Sequence, residues 1–507
     1  MQEQLAELRS SELLYEVHSH AELSYSFKHA LIHDVAYQGM LLERRRSLHA
    51  RLVGTIEKCY RDRLSEHMER LAHHAWIGEV WEKAAAYLHQ AGDRAIQRCA
   101  YRQAAAFFRQ AMAALARLPA SETVTAQAID IRIRLRPALM PIGESDQVLS
   151  YLLEAEQLAS TAGDRARLVL VLIHQSYFHS VHGAIPTAVS TAHRASDIAS
   201  TIDDKPLAVE TRIALGQAYC YGGESFRAIE VQTPDLDCLI REFRHDRFGQ
   251  IGVRSVVALH HVATAHDQLG DFAAAINLRK SALIIAEEVN RPFDVATACY
   301  GLGSSMLLKG EIEDALPFLE RGRAISGMAE ISYMTLWLAA MIGYAHALRG
   351  EGDQARTLLE QTIERSTALH LIRHEAQART FLSYASQRCN AWPEAAEHAR
   401  QALHLAQRHN YLDLEVMAYR LLGTVENVGD NSSTSEGEGH LRKAVALAES
   451  LAMRPELAHS HHGLGNFLSR TERREEARQH LASALALYRT MDMRFWQQQV
   501  EAILAVD

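Results

Sequence analysis

The chain has 507 residues, too many for one ordinary hydrophobic core, so it must divide into domains or build a repeat array. Apolar residues make up 48%, which excludes global disorder, and a formal charge of −9 argues against a nucleic-acid surface, which needs a concentrated basic face. The 10 prolines leave room for long uninterrupted helices, and the 6 cysteines form no C-x-x-C pair that would suggest zinc or a disulfide framework. Reduced, mostly buried thiols in a cytoplasmic protein are expected. No signal-peptide pattern opens the chain, and its apolar stretches fall short of the roughly 18 residues that span a bilayer.

The first predicted elements are strands. Leu13, Tyr15 and Val17 alternate with polar residues and are expected to share one face. Leu23, Tyr25 and Phe27 do the same after a short break. Helices are expected over about 29–41 and 43–60, so a hairpin followed by helices gives a partial winged helix over 1–60. A connecting helical arm follows over 61–140. Within it, Ile131, Ile133 and Leu135 alternate as in a strand, but their setting between helices favours a helix.

From there to the C-terminus the sequence repeats. Ala275, Ala315, Ala355 and Ala395 are each 40 residues apart, as are Ala188 and Ala228, and Gly437 and Ala477. A second small residue precedes most of these by 12 positions: Ser176, Gly216, Ala263, Gly303, Gly343, Ser383, Gly423 and Gly465. A third follows by 7 at Ala195, Ala282, Gly322, Thr362, Ala402, Ala444 and Ala484. The unit between Ala228 and Ala275 carries 7 extra residues and has Asp235 at that third place. Small residues at fixed points on two helices let the backbones approach closely. Gly-Asp or Gly-Glu pairs between the helices fit a left-handed helix end followed by an acid at the next helix's positive end. The expected fold is an all-α solenoid of helix pairs over 141–507.

This spacing resembles the tetratricopeptide repeat over about Gln147–Leu504, with Trp337 where that repeat often carries tryptophan. The unit is longer than the usual 34 residues, which implies longer helices. Farther upstream, "FKHALIHDVAYQGMLLERRRSLH" from Phe27 and the segment from Leu71 resemble the region after the NTPase module in STAND-type signalling ATPases. These include bacterial adenylate/guanylate cyclase-like proteins and large LuxR-type regulators. The resemblance implies a sensor or partner-binding arm, with an NTPase or cyclase module expected upstream. No G-x-x-x-x-G-K-[ST] occurs in the chain, so neither ATPase nor cyclase activity is carried over. Two other readings stand beside this one: a fragment of an ATP-dependent cyclase or transcription regulator, and an independent scaffold.

Candidate chemistry is sparse. His29 and His33 have helical metal-ligand spacing, but the glutamate of H-E-x-x-H is missing, and packing accounts for them. His459, His461 and His462 are spread by a helix over different faces. Arg44, Arg45 and Arg46 fit a solvated face or a domain interface. No catalytic arrangement, metal site or cofactor is expected. A binding groove is. Taking the small residue of each first helix as zero, positions −6, −3, +1 and +4 fall within about 80° of one another. They place Tyr300, Trp337, Tyr344 and Tyr384 in the centre of the array. Gln377, His260, Asp267, Arg420, Asn427, His462 and Asn466 flank these, and Tyr177, Gln217, Thr264 and His459 extend the set. Aromatic anchors with a polar rim suit a protein, peptide or small-effector partner. The competing reading packs these aromatics between helices.

Overall fold

A computed structural model of the protein describes residues 2–19, 22–426 and 434–505. The chain separates into two compact units, one of residues 1–94 with 106–120 and one of residues 95–105 with 121–507.

The first unit opens with helix Gln2–Ser10 and an antiparallel hairpin of strands Leu14–Ser19 and Glu22–Phe27. Helices Ala30–Gln38, Leu42–Cys59 and Met68–Ile77 follow. The strands form as expected, and the register sets the side on which Tyr15, Tyr25 and Phe27 stand. Leu14 lies opposite Phe27 and Glu16 opposite Tyr25, whereas Tyr15 lies opposite Ser26. Directly opposed residues point to the same face, so Tyr15 and the Tyr25–Phe27 pair point to opposite faces. Leu14 is buried, and Tyr15, Tyr25 and Phe27 are exposed. Leu31 and Val35 on the next helix are 72% and 66% exposed, leaving an uncovered apolar side.

The second unit is a solenoid of helix pairs. Glu122–Leu139, the alternating segment, is a helix capped by Ser121, whose hydroxyl accepts the Val124 N–H. The first helices of the successive pairs are Arg165–Val181, Lys205–Tyr221, Arg254–Leu269, Pro292–Lys309, Ser332–Arg349, Ile372–Arg388, Leu412–Val425 and Arg454–Arg470. These are the inner helices. Each packs against the outer helix that follows it, from Ile185–Ala199 to Arg474–Thr490.

The small residues sit where the pair closes. A Cβ added to Gly303 would come within 2.6 Å of Leu319 and 3.2 Å of the Ala315 carbonyl. Gly343 meets Leu359 at 2.6 Å, and Gly465 meets Leu481 at 2.7 Å. Where serine replaces glycine, its hydroxyl donates to the facing carbonyl: Ser176 to Ala188 at 2.9 Å and Ser383 to Ala395 at 2.8 Å. The turn chemistry is only partly as expected. Gly270, Gly310 and Gly350 take positive φ. Of the acids after them, Asp271 caps its helix through its side chain, at Ala274 N–H, while Glu311 and Glu351 do not. Glu311 pairs with Lys309 and Glu351 with His346.

Stacking of pairs winds the solenoid back onto itself. The Tyr411 hydroxyl donates to the Val181 carbonyl across 230 residues of sequence. A Cβ on Gly183 would collide with the His409 carbonyl at 1.8 Å, and one on Gly270 with the Met491 sulfur at 2.2 Å. All six cysteines are free, three of them buried. Among the described residues no helix is long and apolar enough to cross a membrane.

Two glycines test the packing rule. Gly343→Leu should cost about 1–3 kcal/mol by overpacking. Gly327→Ala, on an outer helix with nothing within 4 Å of its Cβ position, should leave stability unchanged or raise it by up to about 1 kcal/mol. Urea unfolding of both variants gives the comparison. Equal stability of the two would remove the close-approach account.

Candidate functional site

The inner helices wall a lumen with two neighbouring chambers, of about 180 Å³ and about 160 Å³. Tyr221, His260, His261, Tyr300 and Trp337 line both. Their walls come from a wider helix face than the expected one. Phe293, Tyr333, Arg373, Asp413 and Pro455 all stand at position −10, one turn before the expected set. Position −10 lies on the same side of a helix as −6.

The aromatic side chains form two stacks. In one, His260 leans on Tyr300 at 5.9 Å, Tyr300 stacks on Trp337 at 5.5 Å, and Trp337 stacks on His374 at 4.4 Å. In the other, Tyr344 stacks on Phe381 at 4.5 Å and meets Tyr384 edge-on at 5.5 Å. Tyr300 and Trp337 reach the chambers, whereas Tyr344 is buried and neither it nor Tyr384 lines them. The four therefore do not make one continuous strip.

The first chamber carries ion pairs. Arg279 donates to the Asp267 carboxylate at 2.7 Å, to Thr264 at 3.1 Å, and approaches His260 Nδ1 at 3.0 Å. Ser305 donates to the same Asp267 oxygen at 2.8 Å, leaving the buried Asp267 Oδ1 without a partner. Burial pushes the Asp267 carboxyl upward, opposed by the Arg279 charge. Arg373 binds Asp413 through two N–H groups at 2.6 and 3.2 Å. Its guanidinium lies 5.2 Å from the Tyr221 ring and 5.0 Å from the Tyr411 ring. In the second chamber Arg254 donates to Glu210 at 2.7 Å and to the Tyr177 hydroxyl at 2.5 Å. These charges are tolerable because each is bonded inside a dry wall.

Of the expected groove residues, His260, Asp267, Tyr300, Trp337 and Gln377 line the chambers, with Tyr177, Gln217 and Thr264. Arg420 does not line them; it holds Glu456, which does, at 3.3 Å. His462 packs edge-on to Tyr488 at 6.2 Å, and Asn466 is half-buried outside both chambers. Asn427 lies outside the described residues. The sequence reading missed Tyr333, Arg373, His374 and Asp413 because it stopped one turn short. It missed Arg279 because that side chain reaches in from an outer helix.

The histidines singled out in the sequence have other partners. His33 Nδ1 meets Asp34 at 3.0 Å, His459 Nδ1 meets the Tyr488 hydroxyl at 2.7 Å, and His461 meets His480 at 2.8 Å. One trio among the described residues could hold a cation. His49, His73 and His74 bring three ligand atoms within 4.8 Å of one another. Its His49 and His74 Nδ1 atoms are 2.9 Å apart, and a shared proton explains that contact without an ion.

Residues 457–491 match the family model described as tetratricopeptide repeat. That stretch is the helix pair Arg454–Arg470 and Arg474–Thr490, and the repeats of the chain are tetratricopeptide-like. Among curated proteins nothing matches. Among solved structures, the chain is similar to a Rap protein complexed with competence and sporulation factor. That match has 13% identity and a TM-score of 0.56, and covers 73% of this chain and 98% of that one. A STAND protein with a tetratricopeptide repeat sensor from Pyrococcus horikoshii matches at 11% identity and a TM-score of 0.43, over 92% of this chain and 74% of that one. The first likeness carries the fold alone.

Burial dictates a pH dependence. Loss of water pulls His261 and His374 down to about 3, and His74, His461 and His462 down to about 4. Unfolded histidines titrate near 6.5, so between about 6.5 and 4 the unfolded chain holds more protons. The stability from these neutral rings is complete above about pH 6.5 and is lost as the pH falls toward 4. Thermal unfolding should show a lower Tm at pH 5 than at pH 7.5, and His374→Asn should flatten the difference. Coincident melting curves at the two pH values would contradict the buried, neutral assignment.

Proposed function

We propose that this chain is a non-catalytic recognition arm that holds a peptide, a protein segment or a small effector in the lumen of its solenoid. The observation that carries this reading is the pair of adjoining chambers. Solenoids present their inner faces as extended concave surfaces. Here the inner faces of eight consecutive units converge on a shared space lined by aromatic rings and oriented polar groups. That is the composition of a ligand site. The structurally similar Rap protein bears a bound factor in its own structure by its description, which supports the reading without fixing the ligand.

The sequence around Phe27–His49 supports the further step that the arm serves a signalling ATPase or a cyclase-like regulator. The uncovered side chains of Leu31 and Val35 suit contact with another module, since exposed apolar patches of this kind mark interaction surfaces. In this reading the arm senses and the partner module performs the chemistry.

The test fills the lumen. Gln377 lines the first chamber and is half-buried, so Gln377→Trp should occupy the space while keeping the helical circular dichroism. A panel of tri- to pentapeptides is screened by thermal shift against both proteins. Peptides that raise the Tm of the unaltered chain should bind the variant at least about tenfold more weakly, about 1.4 kcal/mol. A panel that stabilises neither protein, or both alike, would remove the first chamber as the peptide site.

A further inference from the structure

We propose that the second chamber receives the carboxylate of an apolar-bodied organic anion and that Arg136 is the residue that holds it. This rests on the reading of the lumen as a ligand site and names what one end of that ligand must be.

The two chambers differ in how their cations are satisfied. In the first, Arg279 and Arg373 each bond a carboxylate, Asp267 and Asp413. In the second, Arg136 does not. It enters from helix Glu122–Leu139, lies 5.0 Å from the Tyr177 ring, and makes no ion pair among the described residues. Its Nε is buried without a hydrogen-bond partner. The nearest candidate, Glu210, has both oxygens taken: one by the Tyr177 hydroxyl at 2.9 Å and the other by Arg254 at 2.7 Å. Asp294 spends one oxygen on the Val253 N–H at 2.7 Å and does not line the chamber.

Two further arginines stand near Arg136, and Glu210 offsets part of their charge. Arg134, Arg136 and Arg254 together hold the nearby His174 far below its ordinary range, after burial itself. The chain as a whole carries −9, so this concentration of arginines runs against the average. Desolvation lowers Arg136 only to about 10, so it stays charged at neutral pH. An unpaired, partly dehydrated cation is costly, and an incoming anion removes that cost. Guanidinium and carboxylate are also matched in planar, two-point geometry.

The rest of the chamber defines the body of the ligand. Buried His261 Nδ1 and His374 Nε2 lack partners and stand in its wall. Pro137, Pro141, Ile251 and Phe293 supply apolar surface. A cavity of about 160 Å³ is close to the roughly 150 Å³ that accommodates a benzene ring. It has room for one ring-sized group beside Arg136. Two sources present that chemistry: a free aromatic acid, or a peptide ending in an aromatic residue whose upstream part lies in the first chamber.

Calorimetry with four probes separates the outcomes: 3-phenylpropionate and its amide, and Gly-Gly-Phe and its C-terminal amide. At least one acid should bind at least about tenfold more tightly than its amide, with an affinity that falls as salt rises. Arg136→Gln should abolish the difference between acid and amide, and Arg136→Lys should retain part of it. Gln377→Trp should weaken the peptide and spare the free acid, which tells the two sources apart. Acid and amide binding alike, or discrimination that survives Arg136→Gln, would overturn the assignment while leaving the lumen as a site. Absence of binding by all four probes would overturn it together with the lumen reading.

Discussion

Everything in the second unit depends on how closely each inner helix approaches its outer partner. The limit is set at one point per pair, where glycine, alanine or serine faces the next helix. At Gly303, Gly343 and Gly465 the space a Cβ would need is held by a leucine side chain 16 residues later. At the same offset other units carry Ala192, Arg279 or Ala399. The stacked pairs build a coil that returns on itself. The Val181–Tyr411 hydrogen bond and the Gly183–His409 approach record that return. One unit meets the limit with a polar side chain. Beside Gly216 the facing residue is Gln232, whose side-chain amide is buried with no partner.

Closure of the coil changes the electrostatics of its inner face. On an open groove, arginines and carboxylates would be solvated and their pairing worth little. Inside the lumen they lose water and are held by bonded partners and aromatic rings. Arg373 is fixed at once by Asp413, Tyr221 and Tyr411, three residues drawn from two distant parts of the chain. Such pairs add little net stability over apolar packing, but they orient donors and acceptors toward enclosed space. The result is a wall with a defined pattern of charge.

The fold was legible because its cause is periodic. Small residues recur at three fixed offsets, and each offset proved to be a helix–helix contact, including Gly322, which abuts Cys299 and Leu338 of its neighbours. The site was legible only in part. Tyr300 and Trp337 lie on the face that helical geometry assigns, and they reach the chambers. Tyr344 lies on the same face and is buried, because Phe381 from the next unit covers it. A one-helix projection cannot register a side chain contributed by a neighbour. The same blindness hid Arg279, which crosses from an outer helix, and Arg136, which precedes the repeats. In the hairpin, alternation gave the strands but not their pairing, and the register decided which residues are covered.

The geometry also joins the chambers to the coil's own spacing. Tyr411 spans two roles: its hydroxyl bonds Val181 on the facing turn, and its ring carries Arg373, which lines the first chamber. Helix Arg254–Leu269, which supplies His260, His261 and Asp267 to the walls, also packs against helix Arg454–Arg470 of the later turn. The residues that would touch a ligand are thus bonded to, or share helices with, the residues that set the distance between turns.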